Sequence, residues 1–344
     1  MRNVLCIWIV KLVRENTEFV MYRILRLSVL IISLSGGNVV AHADNLSPRV
    51  NIGMSEYSGN RIQHSDIDAR FFPVWGDEVR RRGYDIPEPF GIGYNYMNLR
   101  QDIIVDNIAF AMPAGKNLPG GLSVNAGHTR ERSQTHMLKG DIWVFPFMNV
   151  YGMYGKTKGT SHTILKGGSF KLGSVRVPLK FLENQLFDLK FEGETYGGGV
   201  TLAGGWKHCF GTLDINYSGT NLDILDGDIK ALVISPRIGY EFRFPSLISG
   251  EKDMAFQIWS GAMYQDITQR FKGNVSGLNL PVGLQQIVDR TGGNDMKFDV
   301  RQHISHKWSS IAGVRLEMSR HFSLLSEIGF NHRNSFFISG EFRF

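Results

Sequence analysis

The stretch from Asn334 to Phe344 constrains this chain more than any other. Read at period two, Phe336, Ile338, Gly340, Phe342 and Phe344 share one side, and Ser335, Phe337, Ser339, Glu341 and Arg343 share the other. Strict alternation of this kind is the signature of a strand. One face is apolar and aromatic, the other mostly polar and charged, and the chain stops on an aromatic residue. A strand of about 9–11 residues with these faces crosses a bilayer only if its neighbours close the sheet, because an open edge leaves backbone groups unsatisfied in hydrocarbon. The expectation is the closing strand of a transmembrane β-barrel.

The rest of the chain agrees. Alternation begins at Phe90, Ile92, Tyr94 and Tyr96, and further strands are predicted over 102–112, 121–130, 136–146 and 149–158. Residues 159–193 lose the pattern and read as a long loop. Strands resume over 195–206, 213–217, 232–244 and 254–271; a second long loop covers 272–306; strands over 308–318, 322–331 and 334–344 finish the chain. This gives an all-β fold: a transmembrane antiparallel up-and-down barrel of about twelve strands, occupying 89–344, with a non-barrel N-terminal segment. With Phe344 on the inner side, the corners at 113–120, 146–149, 208–211, 245–252 and 319–321 fall inside, and both long loops fall outside. The ending Glu-Phe-Arg-Phe occurs at 241–244 and again at 341–344, each time on a strand expected to run inward. A soluble sandwich or lipocalin-like barrel would also alternate, but with its apolar face inward and no need for aromatics at both strand ends.

The N-terminal residues read as an export leader. Tyr22 to Arg26 is basic, Leu27 to Leu34 is an apolar core, and Ala41-His-Ala43 is a small-x-small cleavage pattern, so 1–43 is the leader and 21–43 its signal peptide, with Met21 as the expected start. Residues 44–88 resist a strand reading. They are expected to form a periplasmic or lumen-plugging segment, with extra strands around 49–57 and 67–75 as the alternative. Hydrophobic residues make up 42% of the chain, with no uncharged apolar run of helical membrane length. Of two cysteines Cys6 lies in the leader, leaving Cys209 and no internal disulfide. The net charge is +6; residues 1–43 carry five Lys/Arg and two Asp/Glu, so the remainder carries about +3. That excess gives no footing for nucleic-acid binding and at most suits contact with anionic lipopolysaccharide or anionic solutes.

The strand ending in Phe344 resembles the assembly signal of Gram-negative outer-membrane proteins. The runs Asp141 to Gly152 and Gly197 to Trp206 are similar to an uncharacterised proteobacterial outer-membrane β-barrel family, porin- or transporter-like. The resemblance implies a Gram-negative outer-membrane location, contact with outer-membrane lipid and lipopolysaccharide, and delivery to the outer-membrane assembly machinery through the C-terminal strand. It supplies no substrate and no catalytic residue.

Chemistry-bearing constellations are sparse. A His–Ser pair serving nucleophilic catalysis must come within hydrogen-bond reach. His332 and Ser335 are three apart, hence on opposite faces of a strand, and His64 with Ser65 or His128 with Ser133 do no better. His303 and His306 near Asp299, and His136, lack recognisable metal-ligand spacing. No catalytic residue, metal site or cofactor is expected. Glycines 197–199 lie within a strand and are expected to thin the wall or make room for a lumen side chain. The remaining candidates are charges on the expected lumen face: Lys139, Asp141, Asp214, Arg237, Glu241, Arg315, Glu317, Glu327, Glu341 and Arg343. They read either as mutually neutralising wall charges or as pore-lining rings that select a solute. The leading expectation is porin-like passive transport of small hydrophilic solutes. The alternatives are an outer-membrane lipid-modifying or proteolytic enzyme, and a structural or adhesive barrel acting through its outer loops.

Overall fold

The structure, a computed structural model, describes residues 71–82, 84, 86–111, 120–172, 174–223, 227–246, 253–275, 280–291 and 296–344. The expected leader and residues 44–70 of the expected N-terminal segment lie outside the described residues. A short helix α1 (Gly76–Arg81) precedes β1 (Phe90–Ala111), β2 (Gly120–Phe145), β3 (Met148–Leu172), β4 (Val175–Pro178), a 3-10 turn (Lys180–Leu182), β5 (Glu183–Trp206), β6 (Cys209–Leu222), β7 (Asp228–Phe244) and β8 (Met254–Asn274). Helix α2 (Val282–Thr291), β9 (Lys297–Ile304), β10 (Trp308–Glu317), β11 (Phe322–Phe330) and β12 (Arg333–Arg343) complete the chain. The twelve strands form one antiparallel sheet that closes on itself. Closure is made by β1 against β12, from Gly91 opposite Arg343 to Gln101 opposite Arg333, and sealed where Phe90 and Phe344 exchange backbone hydrogen bonds of 3.1 and 3.0 Å.

The circumference changes with height. Near Phe90 and Phe344, here the terminal end, the wall comprises β1, β2, β3, β5, β6, β7, β8, β10, β11 and β12. At the far end the short β11–β12 hairpin has ended, and β9 pairs directly with β1 and β8. Strands β9 and β10 run in the same direction along β8, one after the other, with a break at 305–307. The wall therefore loses two strands on its way up, while β4 pairs only with β3.

Length explains why. Strands β2, β3 and β5 hold 26, 25 and 24 residues, more than twice the ~9–11 that cross a bilayer. Only the terminal half wears a lipid-facing belt. Its outer face exposes Phe90, Ile92, Tyr94, Leu138, Tyr154, Tyr196, Tyr217, Ile238, Phe242, Ile258, Phe336 and Phe344. Tyr94, Leu138, Tyr154 and Tyr196 stand at one level on four successive strands, the upper aromatic girdle of such a belt. Above that level the outside turns polar and ion-paired, with Lys158–Glu192, Lys230–Asp228, Lys307–Asp266 and Arg270–Asp299 at 2.7–3.0 Å. The inside turns apolar in exchange. Ile108, Phe110, Leu122, Leu165, Phe187, Leu189, Phe271, Phe298 and Val300 form a buried core with Leu182 of the 3-10 turn and Leu284 and Val288 of α2.

This inversion corrects several expectations. The separate strands expected over 90–96 and 102–112 are one strand, β1, and those over 121–130 and 136–146 are one strand, β2. Ala111 lies opposite Gly121 at the far end, so the corner expected inside at 113–120 joins strands that meet outside. The long loops expected over 159–193 and 272–306 are mostly the upper parts of β3, β5 and β8, with β4, the 3-10 turn, α2 and β9. Where a strand changes surroundings its apolar residues change faces, and that change of phase reads as a turn. In β1 the apolar side chains face out at Phe90, Ile92 and Tyr94 and in at Leu99 and Ile103.

Candidate functional site

Below the upper girdle the interior is polar, and alternation from the lipid-facing belt places every expected lining residue there. Lys139 bonds Glu341 at 2.8 Å and Arg343 bonds Asp141 at 2.6 Å. Arg315 reaches Glu341 at 3.3 Å and Glu317 at 3.6 Å. These six belong to β2, β10 and β12 and form one cluster near the terminal end. Arg343 also donates to the Glu88 carbonyl at 3.2 Å, which ties the described end of the N-terminal segment to the rim. Further round, Arg237 of β7 grips Glu327 of β11 with two bonds of 2.7 and 3.0 Å, and Trp259 Nε1 donates to the same carboxylate at 2.8 Å. Glu241 accepts from Arg243 and Gln257, each at 2.8 Å.

Asp214 is held by Tyr151, Thr201 and Asn216 at 2.7–3.1 Å. Tyr151 can cross the wall because Gly199 stands opposite it; a Cβ there would lie 2.6 Å from the Tyr151 hydroxyl. Of the glycines 197–199 expected to thin the wall or make room for a lumen side chain, Gly199 makes room for Tyr151.

Alternation alone also misses a layer above this. Glu131 of β2 accepts from Gln101 of β1 at 3.3 Å and from Gln269 of β8 at 3.0 Å. Gln302 donates to Gln269, and Arg333 bonds Gln101 at 3.1 Å and Ser309 at 3.2 Å. Beside it runs a ladder of buried hydroxyls, Thr135–Thr157–Thr195–Thr220, joined at 3.0, 2.6 and 2.8 Å. These residues were hidden because both faces of the strands are polar at this height; the only sequence signal is a local surplus of Thr, Gln and Ser on inward parity.

Above the layer the bore ends. Phe191 of β5 and Phe271 of β8 meet with ring centroids 5.5 Å apart, just above the last pairs made by β6 and β7, Gly193 with Leu222 and Asp228 with Arg270. Both rings belong to one buried core with inward side chains of β1, β2, β3, β7 and β9. Leu182, Leu284 and Val288 fill the space around the rings with no solvent exposure. The described part of the N-terminal segment packs at the opposite end: Val74 N–H bonds the Val144 carbonyl at 2.8 Å, and Trp75 lies against Phe145 at the rim. The chain's own upper strands close the bore; the described residues of 71–88 lie at its terminal rim.

The catalytic and metal candidates disperse. Asn331 and His332 have φ of 60° and 55° and make the tight β11–β12 turn. There His332 stacks on His306, with ring centroids 3.9 Å apart, while Ser335 stands on β12 opposite Gly329. His303 bonds Asp106 and His136 bonds the Tyr94 hydroxyl, both on the outer face. His128 lies 3.5 Å from Asp102, again outside. Among the described residues no group of three or more His, Cys, Asp or Glu could hold a metal ion. His64 and Ser65 lie outside the described residues.

No protein-family model and no curated protein sequence matches this chain. The fold is similar to the transport unit of the autotransporter AIDA-I from Escherichia coli, at 11% identity over 83% of this chain and 95% of that one, with a TM-score of 0.31. It is also similar to the CymD monoaromatic hydrocarbon channel (8% identity, 75% and 89% covered, TM-score 0.20). A third likeness is to the Ralstonia pickettii toluene transporter TbuX (8% identity, 75% and 90% covered, TM-score 0.24). All three scores are low, and the barrel rests on the strand pairing itself. Of the family resemblance noted in residues 141–152 and 197–206, the structure bears out the closed antiparallel β-barrel fold.

Proposed function

We propose that this chain is a Gram-negative outer-membrane barrel, closed to free diffusion, whose task is to hold a rigid head outside the bilayer for binding. The buried core to which Phe191 and Phe271 belong carries the reading, because it brings together inward apolar side chains of β1, β2, β3, β5, β7, β8 and β9 where a continuous passage would run. The aromatic belt supports membrane insertion through the terminal half. The ring of exposed ion pairs above it suits the head groups of lipopolysaccharide. In this reading the inward charges brace the wall, since each is engaged by a protein partner in the same half.

Purified protein in a planar bilayer tests it. The expected result is a flat trace with no unitary current steps; ohmic steps from the wild-type chain overturn the proposal. Porin-like passage of small hydrophilic solutes is the second reading. It is favoured by Arg315 and Glu317, whose side chains keep 24% and 26% of their surface accessible inside the lower bore, and current steps would promote it.

A further inference from the structure

At the far end, β4 and the turn after it leave apolar side chains uncovered. Val175, Val177, Phe181 and Leu186 are 45–63% exposed, and Val282 at the start of α2 is 75% exposed. They lie close together. Phe181 lies over α2 at Gly283, where a Cβ would come within 2.7 Å of its ring, and Val282 is the next residue. Val175 and Val177 sit on β4, an edge strand bonded on one side only. Exposed cations are interleaved with them: Lys166, Lys171, Arg176 and Lys180, against two exposed acids among the described residues, Glu183 and Asp289 of α2.

We propose that this cap docks on the surface of a facing bilayer that carries anionic head groups, the apolar side chains entering the interface and the cations meeting the phosphates. The inference rests on the closed-head reading. Three observations select this occupant. Protein-binding surfaces favour Trp, Tyr and Arg and are poor in Lys; this cap has no Trp or Tyr among its described residues, and three of the four exposed cations described there are Lys. A second copy of the chain would set cation against cation. The barrel's own membrane is out of reach, because Leu186 and Leu172 stand ten and eighteen residues beyond the girdle tyrosines Tyr196 and Tyr154, roughly 25 and 45 Å along tilted strands. Aliphatic and Phe side chains set among Lys and Arg are the composition that binds an anionic bilayer surface.

The test uses the full chain in zwitterionic nanodiscs and flotation with vesicles of pure phosphatidylcholine or of phosphatidylcholine with about one third phosphatidylserine. Wild-type protein is expected to float with the anionic vesicles only, and to release them in high salt. A K171E/R176E/K180E variant is expected to bind about 100-fold more weakly or not at all, and Phe181→Ser with Val177→Ser to weaken binding while the melting transition is kept. Equal flotation with both vesicle types, no flotation of the wild type, or salt-sensitive dimerisation abolished by the same substitutions overturns the proposal. The planar-bilayer trace separates this from the reading beneath it: current steps remove the closed head, whereas a flat trace without vesicle capture removes only the docking surface.

Discussion

Phe271→Ala tests the packing of the far half. The ring is fully buried and touches Phe191, with Leu284, Val288 and Phe298 in the same core. Deleting a buried phenyl costs about 3–5 kcal/mol through lost transfer free energy and the cavity left behind, of which about 0.5–1.5 kcal/mol belongs to the aromatic pair. The neighbours come from β5, β9 and α2, so no single side chain can fall into the hole. The cost should stay local, because the belt and the charged interior form separate clusters below. At about 1.4 kcal/mol per decade, amide exchange through local opening should rise about 10²- to 10³-fold in 183–193 and 267–274. Residues 237–244 and 336–343 should be unchanged. Hydrogen–deuterium exchange read by mass spectrometry on protein in micelles checks this. A rise below about tenfold in the upper segments, or an equal rise along the whole barrel, refutes the packed core.

Glu327→Ala strands the Arg237 guanidinium and the Trp259 N–H; a buried pair broken on one side costs about 3–5 kcal/mol. The double change Glu327→Leu with Arg237→Met should cost less, read as the temperature at which the folded gel band gives way to the unfolded one. Gly199→Ala brings a methyl within 2.7 Å of the Ile215 carbonyl, backbone that cannot step aside, and should cost about 1–3 kcal/mol in urea titration. Gly140→Ala and Gly204→Ala meet nothing within 4 Å and should stay within about 0.5 kcal/mol of wild type. Asp299, in the far half and outside the belt, has its carboxyl held below the usual carboxylate range, chiefly by the hydrogen bond from Arg270. A depressed folded pKa means stability present above the unfolded carboxylate pKa and lost as pH falls through the folded one. Asp299→Asn should therefore cost up to about 1 kcal/mol near neutrality, the pair being one-third exposed, and nothing in strong acid; a constant difference across pH would refute the assignment.

The terminal half was legible in the sequence because lipid enforces alternation there. Phe342 and Phe344 face out while Glu341 and Arg343 face in, as period two predicts, and the ten inward charges follow from the same rule. The far half was not legible, for two physical reasons. Around Glu131 to His136 and Thr157 to Thr163 both faces of the wall are polar, so no apolar period survives and a strand resembles a loop. Higher up, Leu122, Leu165, Phe187 and Phe298 alternate again but with the opposite sense, which local pattern reading cannot connect to the strand below. The expected total of twelve was met with different members: two merged pairs on one side, β4 and β9 on the other. Pairings such as Arg237–Glu327 or Glu131–Gln269 join residues far apart in the chain, and no local period encodes them.

The two halves follow one rule applied in two solvents. Each half of the sheet turns toward its surroundings the face those surroundings accept, and the other face becomes the interior. In lipid the inner face must be polar, because two apolar faces would leave a one-residue slip of register unpenalised. The buried Lys139–Glu341 and Arg237–Glu327 pairs mark the inward side. In water the inner face becomes apolar, and apolar side chains from eight converging strands have no reason to leave a hole among them. Closure of the bore is thus a consequence of strands that continue past the bilayer and reverse their faces. A chain shaped to pass polar solutes would keep its polar face inward over the full height; here that face gives out at Thr135, Thr157, Thr195 and Thr220, and Phe191 and Phe271 meet above it.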